Sequence, residues 1–87
     1  MKTYVLDGSR MASREDAHDE IARALEFPGY YGKNLDALWD MISGMHAEVI
    51  LQNAPAMLNA LGVYGCKLLE TLFEAAGENG SFHFTVE

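Results

Sequence analysis

The chain has a single cysteine, Cys66, so it cannot form an internal disulfide. That suits a reducing compartment, and the expected location is cytoplasmic. Long apolar runs are missing. Nothing approaches the roughly 20 consecutive apolar residues of a membrane span, and the start, MKTYVLDGSR, lacks the apolar core of a signal peptide. Basic residues are scarce, at six against thirteen acidic ones, for a net charge of −7. Such a balance repels nucleic acid and anionic lipid, so neither is an expected partner. An acidic excess keeps many proteins soluble, and its field also favours basic partners. No internal repeat, low-complexity stretch or phosphate-cradling glycine loop is present. No hairpin turn joins one strand-like segment to the next.

What remains is a strand–helix alternation short enough for one domain, residues 1–87. Thr3 to Leu6 is apolar on both faces, as a strand covered on both sides is, and Asp7 and Gly8 end it. Ser13, with Asp16 three residues on, starts a first helix with Ala17, Ile21, Ala24 and Leu25 on its stripe. Pro28 closes that helix at Phe27. After the Tyr30-Tyr31-Gly32 loop, Asn34 caps a second helix over 35–43, which Gly44 ends. Glu48 to Gln52 is the second strand. Asn53 caps a short third helix with Pro55 in its first turn, and Gly62 stops it. Leu68, Leu69, Leu72, Phe73 and Ala76 form the core face of a fourth helix, with Gly77 and Gly80 about its end. Ser81 to Val86 is the last strand. The order β-α-α-β-α-α-β, with connections long enough for crossovers, predicts an α/β fold: a small three-stranded parallel sheet packed by about four helices.

The second helix divides into two faces. At about 100° per residue, Leu35, Leu38, Trp39 and Ile42 gather on one side, and Asp36, Asp40 and Ser43 on the other. Asp36 sits in the first turn, where the helix dipole favours an anion, and Asp40 gains less. Like charges at i and i+4 cost a few tenths of a kcal/mol. Spacing alone leaves two readings open, an ordinary solvated face or a binding surface.

The run Pro28, Gly29, Tyr30-Tyr31-Gly32, Lys33, Asn34-Leu35-Asp36-Ala37-Leu38-Trp39-Asp40 resembles the signature of the barstar family, bacterial intracellular inhibitors of small guanyl-preferring ribonucleases. Eleven fixed positions match without a gap. The first helix also carries the family's Asp-x-His at Asp16 and His18. The resemblance implies a barstar-like fold and a protein that is not an enzyme, needs no cofactor and is a monomer when free. It implies a small basic bacterial ribonuclease as partner, whose phosphate-binding site the acidic helix enters in place of RNA. Carboxylate–arginine contacts are charge-assisted and can be bidentate, which makes such mimicry strong. By the resemblance Asp40 is the main phosphate mimic and Asp36 the second acidic contact. Tyr30 lies against the enzyme near a catalytic histidine, Asn34, Gly32 and Gly44 supply polar contacts, and Trp39 packs beneath the helix. Tyr31 reads as core packing.

Two positions depart from the family pattern. A tryptophan after the glycine that ends the second helix is Met45 here. A third acidic contact in the last helix falls on Ala75, with Glu74 one residue earlier and about 100° around the helix. Elsewhere His18, His46 and His83 lack metal-ligand spacing, so no metal is expected and each reads as structural or surface. Cys66 reads as a small buried hydrophobe. Besides the inhibitor, two readings stand: an interaction module of the same kind with a different basic partner, and a small hydrolase using Asp36 and Asp40.

Overall fold

Strand residues point alternately to two sides, and in this chain one side of every strand is the more apolar. The computed structural model describes residues 1–87. In chain order it contains β1 (Lys2–Asp7), a 3-10 turn (Gly8–Arg10), α1 (Arg14–Leu25), α2 (Leu35–Ile42), β2 (Ala47–Gln52), α3 (Ala54–Leu61), α4 (Val63–Glu78) and β3 (Phe82–Val86). The three strands form one parallel sheet in the order β1-β2-β3, with Leu6 opposite Leu51 and Val49 opposite Phe84. Architecture and element order are those the sequence predicts; only the 3-10 turn is additional.

Leu6, Val49, Leu51, Phe82 and Phe84 belong to a single core with Ile21, Leu38, Ile42, Met57, Leu68 and Leu72 from the helices. All four helices therefore lie on one face of the sheet. That corrects the reading of β1 as covered on both sides: only Leu6 is buried in it, and Val5 is 45% exposed. The reason is topological. Parallel strands taken in sequential order are joined by crossovers of one hand, so every helix arrives on the same side. The other face is left with Thr3, Val5, Glu48, Ile50, His83 and Thr85, and there the Thr3 hydroxyl donates to Glu48 at 3.1 Å.

Local signals act mostly where expected. The Ser13 hydroxyl accepts from the Asp16 N–H (3.1 Å), and Asn34 Oδ1 accepts from the Ala37 N–H (2.7 Å). α1 ends before Pro28 acts, because Glu26 turns left-handed (φ 60°). α2 runs only to Ile42, with Ser43 still right-handed, so Gly44 does not terminate it by a left-handed turn. Asn53 precedes α3 but makes no side-chain cap; it is itself left-handed (φ 58°), and its amide donates to Asp7 Oδ1 at 2.9 Å. The same oxygen accepts from the Ser9 N–H (2.9 Å) and hydroxyl (2.6 Å). These donors, the Ser9 hydroxyl foremost and then the Asn53 amide, hold the Asp7 carboxyl down at about 2.

α4 differs most from expectation. Its core face is Leu68, Leu72 and Ala75, all fully buried. Leu69 and Ala76 flank it, while Phe73 is 49% exposed and packs edge-on against Phe84 at 4.8 Å. Cys66 is exposed rather than buried. It lies about 200° from Leu68 and on the same side as Phe73, seven residues on.

Two polar knots hold α1 in place. Glu20, on its buried side, accepts from the Asp7 N–H (3.0 Å) and from the Arg23 guanidinium (2.8 and 2.9 Å). His18, 1% exposed, lies between two phenols. Nδ1 is 2.7 Å from the Tyr31 hydroxyl and Nε2 is 2.7 Å from the Tyr64 hydroxyl. A neutral ring has one N–H, so one phenol donates and the other accepts. Burial holds the His18 pKa below its usual value, with Lys33 adding to the effect and Asp19 opposing it.

The sign of the resulting pH dependence follows. Both pKa values are lower folded than unfolded, so the unfolded chain takes up more protons as pH falls. The His18 contribution is complete above about pH 6.5 and is lost below it. The Asp7 contribution is complete above the ordinary carboxylate value of 3.8 and is lost as pH approaches about 2. Thermal melts on acidification from neutrality should therefore fall in two stages, the first reduced in His18→Gln and the second in Asp7→Asn. A melting temperature flat from neutrality to about pH 5 would exclude His18 as the first group.

Candidate functional site

α2 is eight residues long and lies with Leu38 and Ile42 in the core and Leu35 and Trp39 partly covered. Its other side presents Asp36 and Asp40 to solvent, one turn apart. Neither carboxylate forms an ion pair. Of the six basic side chains, Lys2 is held by Glu26, Arg10 by Asp7, Arg23 by Glu20, and Lys33 by Asp19 at 2.9 Å; Arg14 lies over the Tyr64 ring at 4.4 Å, and Lys67, exposed on α4, forms no ion pair with either aspartate. Lys33 is the base nearest α2 in sequence. It is left-handed (φ 53°), and its ammonium is engaged by the acids of α1. The charge on α2 is thus uncompensated within the chain.

The helix dipole sharpens the contrast between the two aspartates. Asp36 is in the first turn, where it is favoured. Asp40 falls in the last turn, beside the negative end of the dipole and four residues after a like charge. Its place on this helix gives the free protein no stabilising contact.

Beside Asp40 lies a shallow hollow of about 170 Å³ lined by Tyr30, Tyr31, Gly32, Ala37, Asp40 and Met41. Its walls are built from the loop and from Ala37, Asp40 and Met41 along α2. Tyr31 is buried, its hydroxyl tied to His18 and its ring 4.9 Å from that of Phe27. Tyr30, one residue earlier, is 85% exposed. Asn34 couples loop to helix twice: Oδ1 caps Ala37, and Nδ2 donates to the Gly32 carbonyl at 3.2 Å. A Cβ at Gly32 would press on the Ala37 methyl at 3.2 Å, which keeps that wall close.

The structure therefore brings Tyr30, Gly32, Asn34, Asp36 and Asp40 to one surface. Trp39 is half-buried behind them, and Gly44 is exposed beyond the end of α2. Met45 is only partly exposed and packs on the core; its carbonyl accepts from Asn79 Nδ2 at 2.9 Å. Glu74 is exposed on α4, the helix against which α2 packs. Ala75 is fully buried, so the expectation that it occupies a contact position is corrected: no side chain there faces a partner.

Sequence reasoning missed the residues that hold the surface from behind. His18 anchors Tyr31 across 13 residues, Tyr64 holds His18 across 46, and Asn79 reaches Met45 across 34. No local pattern announces pairs so distant; only the Asp-x-His in α1 hinted at the first. A larger hollow of about 450 Å³, lined only by charged residues, lies between the 3-10 turn and α1, at Arg10, Asp16, Asp19, Glu20 and Arg23. Its arginines are already paired with Asp7 and Glu20, and the Lys33 ammonium engages Asp19. No three His, Cys, Asp or Glu side chains converge as a metal site would need, and no helix is long and apolar enough to cross a membrane.

Comparison with known proteins identifies the family. The family model described as "Barstar (barnase inhibitor)" matches residues 1–87. The chain is 37% identical over 81 residues to the "Putative ribonuclease inhibitor YrdF" of Bacillus subtilis (strain 168), covering 90% of this chain and 89% of that one. With its sheet order, its acidic second helix and a match running from the first residue to the last, the chain belongs to the barstar family.

Proposed function

We propose that the protein is an intracellular, cytoplasmic inhibitor without catalysis of its own, which binds a small basic ribonuclease and blocks its active site with α2. The observation that carries the proposal is the pair of unpaired carboxylates, Asp36 and Asp40, on a convex face beside an exposed tyrosine. Asp40 occupies the position RNA phosphate would take, against the partner's arginines, and Asp36 adds a second acidic contact. The hollow between Tyr30 and Asp40 receives one flat cationic or imidazole side chain. Asn34, Gly32 and Gly44 contribute polar contacts, and Glu74 reaches the rim. Membership in the family and the name of the Bacillus relative support the inhibitor reading. An interface of standard size, about 1,600 Å² in total, is expected. A second reading keeps the same surface but gives it a different basic partner. It is favoured by Met45, which departs from the family's contact pattern.

Asp40 carries a testable conflict between binding and stability. Asp40→Ala removes an uncompensated charge from the wrong end of a helix dipole, so the free protein should melt at the same temperature or slightly higher. In the complex it should lose about 2 kcal/mol or more, as central contacts do. Titration of a panel of guanyl-preferring ribonucleases with both proteins checks this, and undiminished inhibition by Asp40→Ala would refute the mimicry. If no ribonuclease is inhibited while another basic protein binds in an Asp40-dependent way, the second reading holds.

The acidic field should also act on the rate of encounter. Stopped-flow association should slow as salt is raised, with little change in dissociation, because screening weakens the long-range attraction more than the desolvated contacts. Association rates insensitive to salt would remove steering from the account.

A further inference from the structure

The turn from α4 into β3 reads Glu78-Asn79-Gly80-Ser81, and Asn79 holds it on four sides. Its N–H donates to the Ala75 carbonyl (2.8 Å), and its carbonyl accepts from the Phe82 N–H (2.9 Å). Its Oδ1 accepts from the Ser81 N–H (3.0 Å), and its Nδ2 donates to the Met45 carbonyl (2.9 Å). The last bond ties this turn to the one between α2 and β2, and so fixes the end of the proposed contact surface at Gly44 and Met45. The next residue is glycine. Without a Cβ, its backbone nitrogen can approach the asparagine side-chain carbonyl with the least hindrance. A Cβ built at Gly80 would meet nothing within 4 Å, so Gly80→Ala changes the reactivity of this bond without a clash. The Ser81 N–H already points at Oδ1, where negative charge would develop under attack on Cγ.

We propose that Asn79–Gly80 is a site of spontaneous deamidation, and that the reaction unlatches the Gly44–Met45 edge of the partner-facing surface. Its chemistry is independent of the inhibitor reading; its consequence for binding rests on that reading. The Gly80 amide nitrogen loses its proton to hydroxide and bonds to Asn79 Cγ. The Cγ–Nδ2 bond breaks, and Nδ2 takes a proton from water and leaves as ammonia. Water then opens the five-membered imide at either carbonyl, leaving aspartate or isoaspartate at position 79. No oxidant or reductant is needed. Both products lack the donor to Met45, and aspartate sets a carboxylate against its carbonyl. Isoaspartate also lengthens the backbone of the turn by one carbon.

The test is ageing of the whole folded chain at mildly alkaline pH, followed by peptide mapping with mass spectrometry. A synthetic peptide spanning the turn and the Gly80→Ala protein serve as comparisons. The amide at position 79 should convert to acid in the folded protein, faster at higher pH and much more slowly in Gly80→Ala. The backbone amide resonances of Gly44 and Met45 should shift in the converted fraction. That fraction should bind a ribonuclease about tenfold more weakly, the loss expected for one hydrogen bond replaced by an unfavourable contact. Asn79→Asp should reproduce the weakening without ageing. An amide that stays intact while the free peptide converts fully overturns the proposal, as does a converted protein with unshifted Gly44 and Met45 resonances or unchanged affinity. If the unaged chain inhibits no ribonuclease, the inhibitor reading fails while the mass and resonance readouts still decide this one.

Discussion

Joining three parallel strands in sequential order forces every crossover to turn the same way, and this handedness governs the rest of the molecule. It stacks four helices on one face of a three-stranded sheet and leaves the other face to solvent. With only one covered face, the core is thin. α2 must then be anchored by its apolar side, through Leu38 and Ile42, while its other side remains outside. The surface that carries Asp36 and Asp40 is convex for that reason. The proposed insertion into a partner's cleft rests on this pair of carboxylates on a projecting helix.

The proposed contact surface is held from behind by polar bonds that lie away from its exposed side chains. Tyr31 is fixed by His18, and His18 in turn by Tyr64, so the loop that displays Tyr30 is tied to both α1 and α4. Asn34 joins that loop to α2, and Asn79 holds the far end. Preorganisation of this kind lowers the ordering cost of association. The charges themselves work in the opposite sense, since Asp40 sits where the helix dipole and Asp36 both disfavour it. The neighbouring cation, Lys33, is meanwhile drawn to α1. Stability is concentrated in the support, and the exposed helix is left electrostatically unsatisfied.

Much of this was legible in the sequence because it depends on near neighbours. Ser13 and Asn34 cap their helices within three residues, and the faces of α2 follow from its 3.6-residue period. The gap-free run from Pro28 to Asp40 carried the family resemblance that the comparisons bear out. Errors arose where a remote element decided. Val5 looked buried because its strand is apolar, but exposure depended on which face the helices took. Cys66 and Phe73 looked like core because leucines surround them, yet the α4 core face turned out to be Leu68, Leu72 and Ala75. Asn53 looked like a cap, but Asp7 competes for its amide.

By itself the sequence determined the order of elements, the parallel sheet, the two faces of α2 and the acid pair at its exposed positions. Each of these is set by local stereochemistry or by a period along one element. Only the tertiary structure decided that the acids stand without counter-ions, that Ala75 is core rather than contact, and that His18, Tyr64 and Asn79 support the surface. Those outcomes depend on distances between residues far apart in the chain, and such distances exist only once the helices are packed against the sheet.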